Sequence, residues 1–170
     1  MNLPSTFANK GKHIHAVIET PKGSAAKYNF DAETGLFKLK KNLPEGMAFP
    51  LHFGFIPNTL GGDGDPVDVM VLMDEPSWPG CFIECKVLGV IEAEQKEDGE
   101  TKRNDRIIAT AIESNRYKEI RTIFALDDYL LDEIINFLVT YNSFEKKEFK
   151  VIGRQGPAIA AGLIKKQMIK

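Results

Sequence analysis

The sequence predicts an α+β fold, in which a closed or nearly closed β-barrel is followed by helices in the C-terminal third. Three observations predict it. Short segments of strand character, bounded by Gly, Pro and Asp, fill most of the first two thirds. A helical period of apolar residues appears only after residue 127. Runs of strands followed by helices argue for segregated α and β layers, and closure of a sheet removes exposed strand edges.

Residues 12–20 alternate, with Ile14, Ala16 and Ile18 on one side and Val17 and Glu19 on the other. Segments 27–30 and 36–41 flank a turn at 31–35, which predicts a hairpin. Residues 66–73 read as a strand with Val67, Val69 and Val71 on one face and Asp68, Met70 and Leu72 on the other. Segments 81–92 and 106–112 continue the pattern. The acidic, Gly-containing stretch 93–105 between them reads as an exposed loop, and 149–152 as a last short strand. Leu131, Ile134, Ile135, Leu138 and Tyr141 recur at helical spacing. Asp127 or Asp128 can cap that helix, whose first N–H groups lack partners. A second helix is expected to start at Pro157 and run towards Lys170.

The chain has 170 residues, about the length of one domain, and the reading is a single domain over 1–170. Its 43% apolar and 27% charged residues exclude a disordered, collagen-like or coiled-coil chain as the main reading. No apolar run is long enough to span a bilayer, and residues 1–16 lack the apolar core of a secretory signal. A cytoplasmic protein without membrane contact is therefore expected. The net charge of −2, from 22 basic and 24 acidic residues, argues against a nucleic-acid partner. Cys81 and Cys85 lie four residues apart in one strand segment. Four residues of strand span ~13 Å, beyond the ~7 Å reach of a disulfide, so two reduced thiols are expected.

The most informative stretch is Gly61-Gly62-Asp63-Gly64-Asp65-Pro66-Val67-Asp68. Three carboxylates within six residues repel one another, and a divalent cation removes that penalty. Oxygen-only ligands suit Mg²⁺, Mn²⁺ or Ca²⁺ rather than zinc. A solvated polar turn fits the same spacing. An EF-hand does not, because Asp68 stands where its glycine is required. Nor is there a P-loop or G-x-G-x-x-G motif. Glu19, Lys27, Lys38, Lys40 and Lys41 are further charged candidates, and carboxylates together with lysines suit a metal–phosphate site. His52 lies within an aromatic segment and is expected to pack there.

The run Asp63-Gly64-Asp65-Pro66-Val67-Asp68-Val69 resembles the signature of the soluble family I inorganic pyrophosphatases. Ile18-Glu19-Thr20-Pro21, Lys27-Tyr28, the 49–56 segment, Gly80, Lys86-Val87-Leu88-Gly89-Val90 and Tyr141 extend the resemblance over roughly residues 14–153. It implies an OB-like five-stranded barrel with two helices, Mg²⁺-dependent hydrolysis of pyrophosphate with Mn²⁺ as a substitute metal, and a homo-oligomer, commonly a hexamer. It implies that Asp63, Asp65 and Asp68 hold metal, with Asp68 bridging two ions and Asp65 the general base. Glu19 would support a further metal. Lys27, Lys41, Arg106 and Tyr141 would bind phosphate.

The chain departs from the family pattern at several of these places. Asn29 stands where the family has a glutamate, Lys41 where it has an arginine, and Asn142 where it has a phosphate-binding lysine. Phe49 and Phe53 replace tyrosines. In the 93–105 stretch Arg106 takes a lysine's place and Asn104 an aspartate's, with Asp105 one residue off, so either Asn104 or Asp105 is the expected metal ligand there. The leading reading is a divergent pyrophosphatase. The same fold acting on another phosphoanhydride, or binding phosphate compounds without catalysis, is the alternative. A single-strand nucleic-acid platform built on Phe49, Phe53 and Phe55 is disfavoured by the charge.

Overall fold

The computed structural model describes residues 3–169. In chain order its strands are β1 (Phe7–Ala8), β2 (His13–Thr20), β3 (Ala26–Asp31), β4 (Leu36–Asn42), β5 (His52–Phe55), β6 (Asp68–Leu72), β7 (Phe82–Glu97), β8 (Glu100–Arg103), β9 (Arg106–Ala111) and β10 (Glu148–Gln155). Two α-helices, α1 (Asp128–Phe144) and α2 (Pro157–Lys166), lie in the last third. The fold is mixed and dominated by sheet, as the sequence predicts.

The backbone pairings run in a ring from β2 to β5, β6, β9, β7 and back to β2. All are antiparallel except β6 with β9. The hairpin β3–β4 forms a separate two-stranded sheet. Strand β6 shows why the ring is stable. Val69 and Val71 enter one buried cluster, with Ile14, Ile18 and α2 residues Ala160 and Ile164. Met70 and Leu72 enter the other, with Phe49, Phe53, Ile134 and Leu138. A strand with both faces buried gains about 1.5–3 kcal/mol for each large side chain removed from water. Gly54 permits the β2–β5 approach, because a Cβ there would lie 2.0 Å from the Val17 carbonyl oxygen.

Helix α1 starts at Asp127, whose Oδ1 accepts from the backbone N–H of Tyr129 at 2.9 Å. Its buried face comprises Leu131, Ile134, Phe137, Leu138, Tyr141 and Asn142, so its last turns point inward. Helix α2 ends at Lys166, earlier than expected, and Lys170 lies outside the described residues. No helix among the described residues is long and apolar enough to cross a membrane. Cys81 and Cys85 are free thiols, and burial pushes the Cys85 thiol well up.

The largest correction concerns residues 93–105, which form a β-hairpin rather than a loop. Strand β7 continues to Glu97, and β8 returns from Glu100. The connection is Asp98-Gly99 with φ of 49° and 82°, the left-handed pair a tight two-residue hairpin turn needs. Strand β10 is also longer than the four residues predicted. It pairs along β7 as far as Gln155, through a bulge between Val151 and Gly153. Strand β5 was not predicted, because all four of its residues are buried and no alternation marks it.

His52 is buried on β5, and the backbone N–H of Lys22 donates to its Nδ1 at 3.2 Å. Protonation would put a second donor against that N–H. Burial first, and then the Lys22 charge, hold the imidazole pKa below its ordinary value. Between the lowered folded pKa and about 6.5 the unfolded chain binds the proton that the folded chain refuses, so stability falls as pH falls through this window. His52→Asn is expected to lose less melting temperature than wild type between pH 7.5 and 5.5, as thermal denaturation at the two pH values would show.

Candidate active site

A cavity of about 730 Å³ opens where β2, β3, β5, β6, the β7–β8 hairpin and the end of α1 meet. Each element delivers particular side chains to it. Glu19 comes from the end of β2, Lys27 and Asn29 from β3, and Phe53 and Phe55 from β5. Asp68 is the first residue of β6, and Asp63 and Asp65 sit on the turn before it. Gly62 lets that turn lie against the base of the hairpin. A Cβ there would lie 3.0 Å from the Arg103 carbonyl oxygen. The fold brings Asp63, Asp65, Asp68, Glu19, Lys27, Arg106 and Tyr141, all expected from the sequence, to one cavity.

Arg106 organises the floor. Its Nη1 lies 2.9 Å from Asp68 Oδ2, donates to the Asn104 side-chain oxygen, and reaches the backbone carbonyls of Asn104 and Asp105 at 3.1 Å each. Asn104 Nδ2 in turn donates to Gln95 Oε1 at 2.8 Å. Arg106 also stacks over Phe149, 5.4 Å from the ring centre. Burial raises the Asp68 pKa, Arg106 and Lys27 pull it back, and Asp63 and Asp65 add to the rise. Glu19 is pushed up to about 7, chiefly by burial, against the stabilising N–H of Phe30 on its Oε1 at 2.7 Å. Burial lowers the Lys27 pKa, and its ammonium sits 5.1 Å from the Phe53 ring and 5.3 Å from the Tyr141 ring. Burial likewise raises the Tyr141 phenol.

Three expected site residues are placed differently. Asp105 faces away from the main cavity. Its Oδ1 accepts from the Ala93 N–H at 3.0 Å and pairs with Arg103 at 2.9 Å. It lines only a neighbouring crevice of about 20 Å³. Asn104 does line the cavity, but its oxygen is already engaged by Arg106. Lys41 pairs with Glu145 and lies 4.1 Å from the Tyr141 ring centre, while its neighbour Lys40 lines the cavity. The cause is local. The β3–β4 register shifts between Lys27 and Tyr28, leaving Lys40 as the extra residue of a bulge. Sequence reasoning also missed the hairpin side chains Glu97, Glu100 and Lys102. The Asp98-Gly99 pair was the signal that would have exposed them.

The cavity lining contains eight carboxylates and five cationic side chains. A polyanion cannot enter a surplus of carboxylates unaided, whereas a divalent cation satisfies both. The donor set is oxygen-rich and free of cysteine, which fits a hard cation. Among the described residues no three His, Cys, Asp or Glu side chains already converge as a closed metal cluster. Asp63, Asp65, Asp68 and Glu19 are thus a fitting but open set of ligands.

Comparison with known proteins agrees with this chemistry. The family model described as inorganic pyrophosphatase matches residues 16–170. An inorganic pyrophosphatase of Halalkalibacterium halodurans is 40% identical over 158 residues, covering 93% of this chain and 94% of that protein. A soluble inorganic pyrophosphatase of Arabidopsis thaliana is 40% identical over 150 residues, covering 87% of this chain and 68% of that protein. The crystal structure of inorganic pyrophosphatase from Thermus thermophilus superposes with a TM-score of 0.87 at 32% identity, covering 96% of this chain and 92% of that one.

Proposed function

Because the chain belongs to the inorganic pyrophosphatase family, its reaction is the hydrolysis of pyrophosphate to two phosphates, and we propose that its lined cavity carries this out with divalent cations. The observation that carries the proposal is the charge of the lining. Eight carboxylates against five cations leave no place for a pyrophosphate anion unless cations come with it.

Asp63, Asp65, Asp68 and Glu19 would hold the cations, with Mg²⁺ the proposed species and Mn²⁺ a substitute. When bound, these ions supply charge neutralisation for the phosphate oxygens and a water of lowered pKa. Asp65 accepts the proton of the attacking water through a carboxylate oxygen. The water oxygen bonds to one phosphorus, the bridging P–O bond breaks, and its electron pair leaves with the second phosphate. Lys27, Arg106 and Tyr141 orient the phosphate oxygens and offset their charge. Lys40 takes the substrate-facing place that the resemblance implies for Lys41, and Lys41 steadies the Tyr141 ring. Phe49 and Phe53 bring no hydroxyl, so fewer donors reach the phosphates than the family pattern supplies.

The same reading treats the β2–β5–β6–β9–β7 ring as an OB-like closed barrel and the chain as one domain. It also makes the protein a cytoplasmic homo-oligomer, with a hexamer as the proposed state.

Phosphate release from pyrophosphate, measured with Mg²⁺ and with a chelator, tests the proposal. Release is expected with Mg²⁺ only, and Asp68→Ala is expected to abolish it. Release that survives both chelation and Asp68→Ala would overturn the site. No release from the wild type would turn the search to other phosphoanhydrides or to a binding role.

A further inference from the structure

We propose that Lys102, on the β7–β8 hairpin, is a substrate-binding residue that holds a phosphate group of the substrate. The inference rests on the pyrophosphatase reading of the cavity and adds to it a contact made by the hairpin.

Of the five lining cations, Lys27 and Lys40 serve the β3–β4 side of the cavity. Arg106 holds Asp68 and Asn104 through Nη1. Lys147 lines the cavity but pairs with Glu97 at 3.2 Å. Lys41 is held by Glu145. The last turns of α1 contribute Tyr141, Asn142 and Glu145 to the cavity, none of them a cation. Asn142 donates its Nδ2 to the Leu138 carbonyl at 2.8 Å, inside its own helix. The α1 wall thus offers an anionic substrate a carboxylate and no positive charge.

Lys102 answers that deficit from the β7–β8 hairpin. It sits directly across from Gln95 in the hairpin register and shares the cavity-lining face with it. Its nearest carboxylate, Glu100, is 3.9 Å away, and the two side chains are 54% and 77% exposed. An ion pair so long and so exposed is weak, and a phosphate displaces it readily. The arm itself is fixed. Its tip is a two-residue turn, β7 is held by β9 and β10 below it, and Glu97 ties it to Lys147 at the start of the α1–β10 side. An exposed ammonium on a fixed strand position suits capture of a phosphate oxygen as a point charge. Lys96 provides an internal comparison. It lies on the same arm, pairs with Thr101, is exposed, and does not line the cavity.

The contact exists before and during the reaction alike, so its loss should appear in KM and leave kcat nearly unchanged. Lys102→Gln is expected to raise KM for pyrophosphate about tenfold, the scale of one exposed charge-assisted contact. Lys102→Arg should recover most of that, and Lys96→Gln should match wild type. The difference between Lys102→Gln and wild type should shrink as salt is raised. Calorimetric titration with Mg²⁺ and methylenediphosphonate, a pyrophosphate analogue whose bridge cannot hydrolyse, reads the same contact without turnover. Equal affinity of Lys102→Gln and wild type for the analogue overturns the assignment, and so does an equal loss in Lys96→Gln. The wild-type rate with pyrophosphate judges the pyrophosphatase reading separately. A wild type that binds the analogue through Lys102 but does not turn over pyrophosphate would sink that reading and leave the contact standing.

Discussion

Asp65→Asn is expected to lower kcat for pyrophosphate by about 10²–10⁴-fold, the usual contribution of a positioned general base. The melting temperature should not move. Asp65 is exposed, and its part in the turn is made by its backbone N–H, which donates to Asp63 Oδ1 at 3.2 Å. The amide of Asn keeps the shape and the turn preference but cannot take a proton from water. KM should change little, because the substituted group acts on the water rather than on the phosphates. The measurement is steady-state phosphate release at saturating Mg²⁺ alongside a thermal melt. A rate within tenfold of wild type would remove Asp65 from the role of base and leave it a cation ligand only. A large fall in both rate and melting temperature would instead mean that the turn itself depends on the carboxylate.

The carboxylate cluster that contains Asp65 is legible in the sequence because everything that marks it is local, whereas the role of base comes from the family resemblance. Three carboxylates, three glycines and a proline in eight residues specify a turn, a charge cluster and a strand entry together. The alternation along β6 and the helical period in α1 are equally local, and both are borne out. What escaped depends on partners distant in sequence. Strand β5 has no alternation because all four of its residues are buried, with Phe53 packed on Phe49 and Phe55 stacked on Phe30. The position of Lys40 instead of Lys41 in the cavity depends on a bulge opposite Lys27, which no spacing rule within β4 reveals. Asp105 falls out of step with its strand in the sequence, and the structure shows why it stays so. The Ala93 N–H and Arg103 hold it on the other face. The 93–105 hairpin is different. Its turn signal is local, but eight charged residues between 94 and 105 resemble a solvated loop unless Asp98-Gly99 is weighed first.

The guanidinium of Arg106 and a divalent cation make the same electrostatic demand on Asp68, and Arg106→Gln separates them. Arg106 is the cation closest to Asp68, at 2.9 Å, and its side chain is 7% exposed. Without it, Asp68 faces the Asp63 and Asp65 charges with only Lys27 in opposition. Breaking a fully buried pair costs about 3–5 kcal/mol, and the partial exposure of Asp68 reduces this to about 2. For a chain of this length that corresponds to a fall of about 4–8 °C in the metal-free melting temperature. A cation bound at Asp68 replaces the missing charge, and binding only to the folded state stabilises it by mass action. Millimolar Mg²⁺ should therefore raise the melting temperature of Arg106→Gln more than that of wild type and narrow the gap between them. Turnover should still fall, on the order of a hundredfold, because an ion on Asp68 does not replace the guanidinium proposed to orient the phosphate oxygens. Paired melts in chelator and in Mg²⁺ decide the point. A gap that Mg²⁺ leaves unchanged means that the cation does not bind at Asp68, and the metal would then have to be sought on the Asp63, Asp65 and Glu19 side of the cavity.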